Sequence, residues 1–123
     1  MVAGFGQNRE PSIHIRKTTQ SITVDGVLNE TVWQQAEKAK DFFISTPIDT
    51  AFAKSKTEVM LTYDDKNLYV AAVCYDEIPG EYIIQSLKRD FSYPRTDAFS
   101  IIFNPTNDKT NGFSFAVSPK GVQ

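Results

Sequence analysis

Apolar and polar residues alternate most regularly from Thr57 to Tyr75, TEVMLTYDDKNLYVAAVCY, where two such stretches flank the polar run Asp64-Asp65-Lys66-Asn67. A period of two broken by turn-forming residues predicts a β-hairpin. The pattern recurs in Asp97 to Phe103 (DAFSIIF) and Gly112 to Val117 (GFSFAV), around Asn104-Pro105-Thr106-Asn107-Asp108, and predicts a second hairpin. In the first hairpin Val59, Leu61 and Tyr63 share one face, and Met60 and Thr62 the other. In its partner, Leu68, Val70, Ala72 and Cys74 oppose Tyr69, Ala71, Val73 and Tyr75. Both faces are largely apolar, which is expected of a central strand covered on both sides and predicts two packed sheets.

Upstream, Ser12 to Arg16 alternates and predicts a short strand, and Ser21 to Val24 predicts another. Asp25-Gly26 supplies a tight turn, the glycine tolerating positive φ. A helix is expected to begin near Asn29, with Asn29 as its cap, Glu30 adding charge in the first turn, and Leu28 and Trp33 placed as a hydrophobic staple. Its apolar stripe would be Val32, Trp33, Ala36 and Ala39. Phe42-Phe43-Ile44 reads as a brief strand, followed by an aperiodic connection from Ile48 to Lys56. Asp76 to Thr96 breaks the pattern again, carrying Tyr82-Ile83-Ile84, Lys88-Arg89-Asp90, Phe91 and Tyr93. A connection of that length in a domain usually has a function or a small element of its own.

At 123 residues the chain has room for one domain or part of one. With 41% hydrophobic and 23% charged residues it falls in the ordinary globular range, which excludes disorder of the whole chain. A net charge of -2, with Lys and Arg scattered, offers no basic stripe for phosphates, so nucleic acid is not expected as a partner. Cys74 is the only cysteine, which rules out an internal disulfide; its place in the alternation predicts a small buried residue. No apolar run reaches the roughly 20 residues of a membrane-spanning helix, so membrane insertion by this segment is not expected. Residues 1–11 read either as the remnant of a secretory signal, with small residues before a polar start at Gln7-Asn8-Arg9, or as an ordinary flexible terminus. Residues 12–123 are expected to form the domain itself. About seven strands are countable, fewer than a sandwich normally uses, and the domain is therefore expected to be incomplete at its carboxyl end.

Five motifs in order carry a resemblance to a known family. They are V-D-G-x-L-(N/D)-E-x-V-W-x-x-A from Val24 to Ala36, L-x-Y-D-D-x-x-L-Y-V from Leu61 to Val70, Arg89-Asp90, D-x-F-x-I-x-F from Asp97 to Phe103, and N-G-F-x-F-x-V from Asn111 to Val117. Together the chain resembles the family 9 carbohydrate-binding modules, and more narrowly the family-9-like domain at the amino end of Bacteroidetes surface and outer-membrane proteins. The resemblance implies an all-β fold, a β-sandwich of immunoglobulin-like or jelly-roll type with one short amino-terminal helix. It implies a non-catalytic sugar-binding module attached to a further carboxyl-terminal domain, in a secreted, periplasmic or cell-surface protein of polysaccharide catabolism.

In that family sugars lie in a slot between aromatic side chains, with arginine, amide and acidic groups bonding the hydroxyls and calcium bracing loops. Stacking on the apolar face of a pyranose and directional bonds to its hydroxyls account for that set. By resemblance Arg89 occupies the family's arginine position, with Asp90 beside it and Asp97 as a second polar candidate. Read from the residues alone, Arg89 with Asp90 or Asp97 is equally an ion pair pinning the loop. The family's slot uses tryptophans, whereas Trp33 is placed in the core by the helix stripe; Tyr82, Phe91 or Tyr93 would supply one wall. Asp76 and Glu77, at a strand end, are the best oxygen pair for calcium, while Asp64, Asp65 and Asn67 are explained by their turn. Two further readings are a structural or interaction domain without sugar binding, and a glycosidase using Asp90 and Asp97, which would need carboxylates roughly 5 to 10 Å apart across a cleft. Haem ligation by His14 or Met60 is not expected, since both read as strand residues.

Overall fold

A computed structural model describes residues 12–43, 52–76, 97–108 and 110–119. Most of its regular structure is strand, with one short helix, so the chain is β-rich. It divides into two units, Met1–Glu77 and Ile78–Gln123.

The first unit holds β1 (Arg16–Lys17), α1 (Thr31–Gln35), β2 (Lys38–Ala39), β3 (Thr57–Tyr63) and β4 (Leu68–Cys74). β3 is its central strand. β4 pairs with it antiparallel along its whole length, from Thr57↔Cys74 to Tyr63↔Leu68. On the other edge, β2 pairs antiparallel at Met60 and Val59, and β1 pairs parallel at Thr62 and Tyr63. The alternation puts Met60 and Ala71 on one face, where they meet Trp33 in the buried core, with Ile22, Val32, Ala36, Tyr69 and Val73 packed around them. Trp33 is 5% exposed, as its place in the apolar stripe predicts. Thr62, 1% exposed, donates its hydroxyl to the Arg16 carbonyl at 2.8 Å, which satisfies a polar group that burial would otherwise penalise.

The opposite face carries Val59, Leu61 and Val70 at least half-buried, while Tyr63, Leu68, Ala72 and Cys74 are exposed. The expectation that Cys74 is buried is therefore overturned. Its side chain lies on the face that α1 does not cover, at the last rung of the ladder opposite Thr57.

The helix departs from its expected form. It runs for five residues only, its cap position is Glu30, and the side chain of that residue accepts no backbone N–H of the first turn. Asn29 is not the cap. Instead Gln20, eleven positions before the helix, accepts the Val32 N–H through its side-chain oxygen at 3.2 Å. After Ala36 the backbone is extended, and Lys38 and Ala39 join the sheet, so pairing with β3 ends the helix before the stripe reaches Ala39. Ser21 to Val24 is not a strand: Thr23 gives its N–H to a carboxylate and Val24 is 89% exposed, so neither ladder nor burial holds it there. The first strand is displaced to Arg16–Lys17, beyond His14. Phe43 forms a single bridge to Phe52, their rings stacked at 4.5 Å; Ile44 lies outside the described residues.

In the second unit β5 (Phe99–Phe103) and β6 (Phe113–Val117) pair antiparallel, as the second alternating stretch predicts. Phe99, Ile101, Phe103, Phe113, Phe115 and Val117 occupy directly opposed positions, giving this hairpin one wholly apolar face. Phe103 and Phe115 meet edge to face at 6.0 Å. The expected leader or terminus, residues 1–11, lies outside the described residues.

Candidate functional site

Of the residues expected to bind a ligand, Tyr82, Arg89, Asp90, Phe91 and Tyr93 lie outside the described residues, as does Glu77 of the expected calcium pair. Asp97 stands exposed just before β5, and Asp76 exposed just after β4. Both engage other groups. Among the described residues no group of three or more His, Cys, Asp or Glu is arranged to hold a metal.

Asp25, Glu30 and Asp64, three acidic groups of the motifs, have definite structural uses. In the stretch from Val24 to Trp33, Gly26 takes φ of 82°, and the Asp25 carboxylate accepts the Val27 N–H at 2.8 Å, closing the tight turn. Glu30 then clamps both ends of this segment. Its Oε1 accepts the Thr23 N–H at 2.9 Å, its Oε2 accepts the Trp33 indole N–H at 3.1 Å, and its carbonyl accepts the Trp33 backbone N–H at 3.1 Å. A carboxylate as acceptor strengthens these bonds, and the buried indole acquires the partner it needs.

Both long hairpins close with the same device, an aspartate followed three positions later by asparagine. Asp64 Oδ1 accepts the N–H groups of Lys66 and Asn67, each at 2.7 Å, and Oδ2 accepts the Tyr69 hydroxyl at 2.8 Å. These donors stabilise the ionised form and hold the carboxyl at about 2, the Lys66 N–H contributing most. Asp108 Oδ1 likewise accepts the N–H groups of Thr110 and Asn111 at 3.0 Å, and its Oδ2 accepts the Asn111 amide at 3.0 Å. Its pKa is also lowered, first by the Thr110 N–H. The turn explanation for Asp64 and Asn67 holds; Asp65 instead pairs with Lys17.

A buried carboxylate escaped the sequence reading. Glu58, 7% exposed, sits on the same face of β3 as Met60, bonded to Lys38 and Lys56 at 3.1 Å each and to the Tyr75 hydroxyl at 3.3 Å. Lys56 also lies 5.0 Å from the centre of the Tyr75 ring. The lysine bonds lower the Glu58 pKa, Lys38 most, and the bond to Glu58 raises that of Lys56. The available signal was a charge at an inward-facing position of an alternating strand.

Among the described residues of the first unit, two concavities can be traced. One, of about 210 Å³, has a lining of mixed polar and apolar surface that includes His14, Arg16, Gln20, Gln35 and Thr62. Its His14 is held by Glu37, which accepts the His14 backbone N–H at 2.9 Å and faces Nδ1 at 3.1 Å. The backbone bond is the main cause of a lowered Glu37 pKa. Arg16 and Gln35 offer directional partners for hydroxyl or carboxylate oxygens, but no aromatic residue lines this cleft to stack on a sugar face. The other concavity, of about 620 Å³, is apolar and runs beside β4. Met60 is 3% exposed in the core, a packing position.

No family profile, characterised protein or solved structure matched the chain.

Proposed function

We propose that this chain is a non-catalytic carbohydrate-binding domain of the family-9-like type, a two-sheet β-sandwich belonging to a secreted or outer-membrane protein that handles polysaccharide. What supports the reading above all is the closed unit from Val24 to Trp33. The residues that carry the resemblance there act together as scaffold: Asp25 and Gly26 make the turn, and Glu30 joins the segment before the turn to the buried Trp33. Recognition then falls to the loop bearing Arg89, with Asp90 and Asp97 as further polar partners and Tyr82, Phe91 or Tyr93 as the stacking wall. Asp76 and Glu77 are the proposed oxygen donors for a structural calcium ion.

Titration with cello- and xylo-oligosaccharides, with and without calcium, tests this. Binding that disappears in Arg89→Ala, while the thermal midpoint is kept, supports the recognition role. Lost stability without any sugar-dependent change in the parent protein assigns Arg89 to a loop-pinning ion pair instead.

A further inference from the structure

Strand pairing decides which way the basic residues of β1 face. β1 lies parallel to β3 with Arg16 opposite Thr62 and Lys17 opposite Tyr63, and paired positions of neighbouring strands project to the same side of a sheet. Thr62 stands two positions from Met60, which meets Trp33 in the core, so Arg16 projects on the face that α1 covers. Lys17 projects on the other face and pairs with Asp65. Beside Arg16 lies the cleft of about 210 Å³, to which α1 contributes Val32, Gln35 and Ala36 and the segment before it Gln20.

The lining of this cleft is rich in donors. No Asp or Glu belongs to it. The Arg16 guanidinium and the Gln35 amide make no hydrogen bond or ion pair with any described residue. The Gln20 side-chain oxygen is spent on the Val32 N–H at 3.2 Å, which leaves its Nε2 as a donor. Acceptors nearby are already engaged: the Arg16 carbonyl takes the Thr62 hydroxyl at 2.8 Å, and Thr18 Oγ1 takes the Gln20 N–H at 3.0 Å. Glu37, just after α1, turns Oε2 to His14, contacting both its backbone N–H and Nδ1, and forms no ion pair with Arg16; its pKa is lowered mostly by the His14 backbone bond and least by the Arg16 charge. A volume of about 210 Å³ lies below the roughly 300 to 1,000 Å³ of drug-sized ligand sites, which limits an occupant to a single ring or a short chain.

We propose that this cleft binds the carboxylate of a small organic acid, Arg16 taking both oxygens in its planar fork and the Gln20 and Gln35 amides adding donors. The carbon skeleton of the acid rests against Val32 and Ala36. A single unpaired cation balances a single negative charge. A phosphate monoester, more highly charged at neutral pH, would need a second, and Lys17 and His14 already face Asp65 and Glu37. A neutral sugar would find neither a charge partner nor an aromatic ring to stack on. The proposal stands apart from the sugar-binding reading, whose recognition residues lie elsewhere in the sequence.

The test follows the backbone and side-chain amide resonances of the full chain during titration with D-glucuronate and, separately, with butyrate; D-glucose and inorganic phosphate serve as controls. The expected result is a saturable shift centred on Arg16, Gln20 and Gln35 with at least one of the two acids and with neither control. A response to glucuronate alone supports a sugar acid as the occupant, and a response to butyrate supports an aliphatic one. Arg16→Gln keeps the backbone carbonyl that Thr62 uses, and should weaken binding about tenfold or more while the thermal midpoint is retained. Should that variant not fold, Arg16→Lys keeps the charge but loses the fork, and should also bind more weakly than the parent. The proposal is overturned if neither acid shifts these resonances, if glucose or phosphate shifts them as strongly as the acids do, or if the folded Arg16 variant binds as the parent does.

Discussion

Glu30 Oε2 accepts the indole N–H of Trp33 at 3.1 Å, which ties the acidic residue of the most distinctive motif to the largest side chain of the core. The two residues stand three apart, in the segment whose Asn29, Leu28 and Trp33 predict a helix start. The chain uses Glu30 to hold the tryptophan ring in place beneath the sheet and, through Oε1, to fix Thr23. Glu30→Ala should cost about 1 to 3 kcal/mol, because it strands a buried donor. Trp33→Ala should cost about 3 to 5 kcal/mol through the cavity it leaves beside Met60 and Ala71. Chemical denaturation of both variants and of the double variant measures this; a strictly additive double variant would show that the bond does not couple the two.

Acid should destabilise the fold through its turns. The carboxyls of Asp64, held at about 2, and Asp108 ionise more readily in the folded chain than when unfolded. A depressed folded pKa contributes stability that is fully present above the unfolded value, near 3.9 for aspartate, and is lost as pH falls through the folded value. Stability should therefore hold from neutral pH down to about pH 5 and drop between about pH 4 and 2. Asp64→Asn should flatten part of that drop in a series of urea melts; an unchanged slope would contradict the role of this carboxylate.

The same aspartate raises the pKa of Tyr69, whose hydroxyl it accepts at 2.8 Å. In Asp64→Asn the Tyr69 phenol should titrate at lower pH, read from its ultraviolet absorbance change. The raised folded pKa means that this bond stabilises the fold below the unfolded value, near 10, and ceases to do so as pH rises through the folded one.

Glu58 offers a prediction that separates charge from packing. Glu58→Gln should lower the thermal midpoint at neutral pH, because Lys38 and Lys56 lose the carboxylate that each contacts at 3.1 Å. The Glu58 pKa is depressed, so its ionic contribution is present above the unfolded carboxyl value, near 4.3, and fades as pH falls through the folded one. The gap between parent and variant should accordingly close in acid. A gap independent of pH would assign the loss to packing.

The two hairpins were legible because alternation and turn residues are local signals: Asp64 to Asn67 and Asp108 to Asn111 specify their own closures. Trp33 was legible from its apolar stripe. What failed were features decided by distant partners. Gln20 satisfies the helix start that Asn29 was expected to cap, and pairing of Lys38 and Ala39 with β3 shortens the helix. Cys74 follows the alternation of a buried strand yet is exposed, since alternation identifies faces and not what covers them. Glu58 was missed for the related reason that its two lysines come from separate segments. The candidate sugar site was named from resemblance, through Arg89 and its neighbours; local periodicity says nothing about which loop side chains converge.

Calorimetric titration of the chain with cello- and xylo-oligosaccharides, alongside Arg89→Ala, bears most directly on the sugar-binding proposal. The expected result is weak, saturable binding to at least one of these sugars, abolished by the substitution while the thermal midpoint is retained. No heat of binding with any of them, or a tight complex that Arg89→Ala leaves intact, would contradict it.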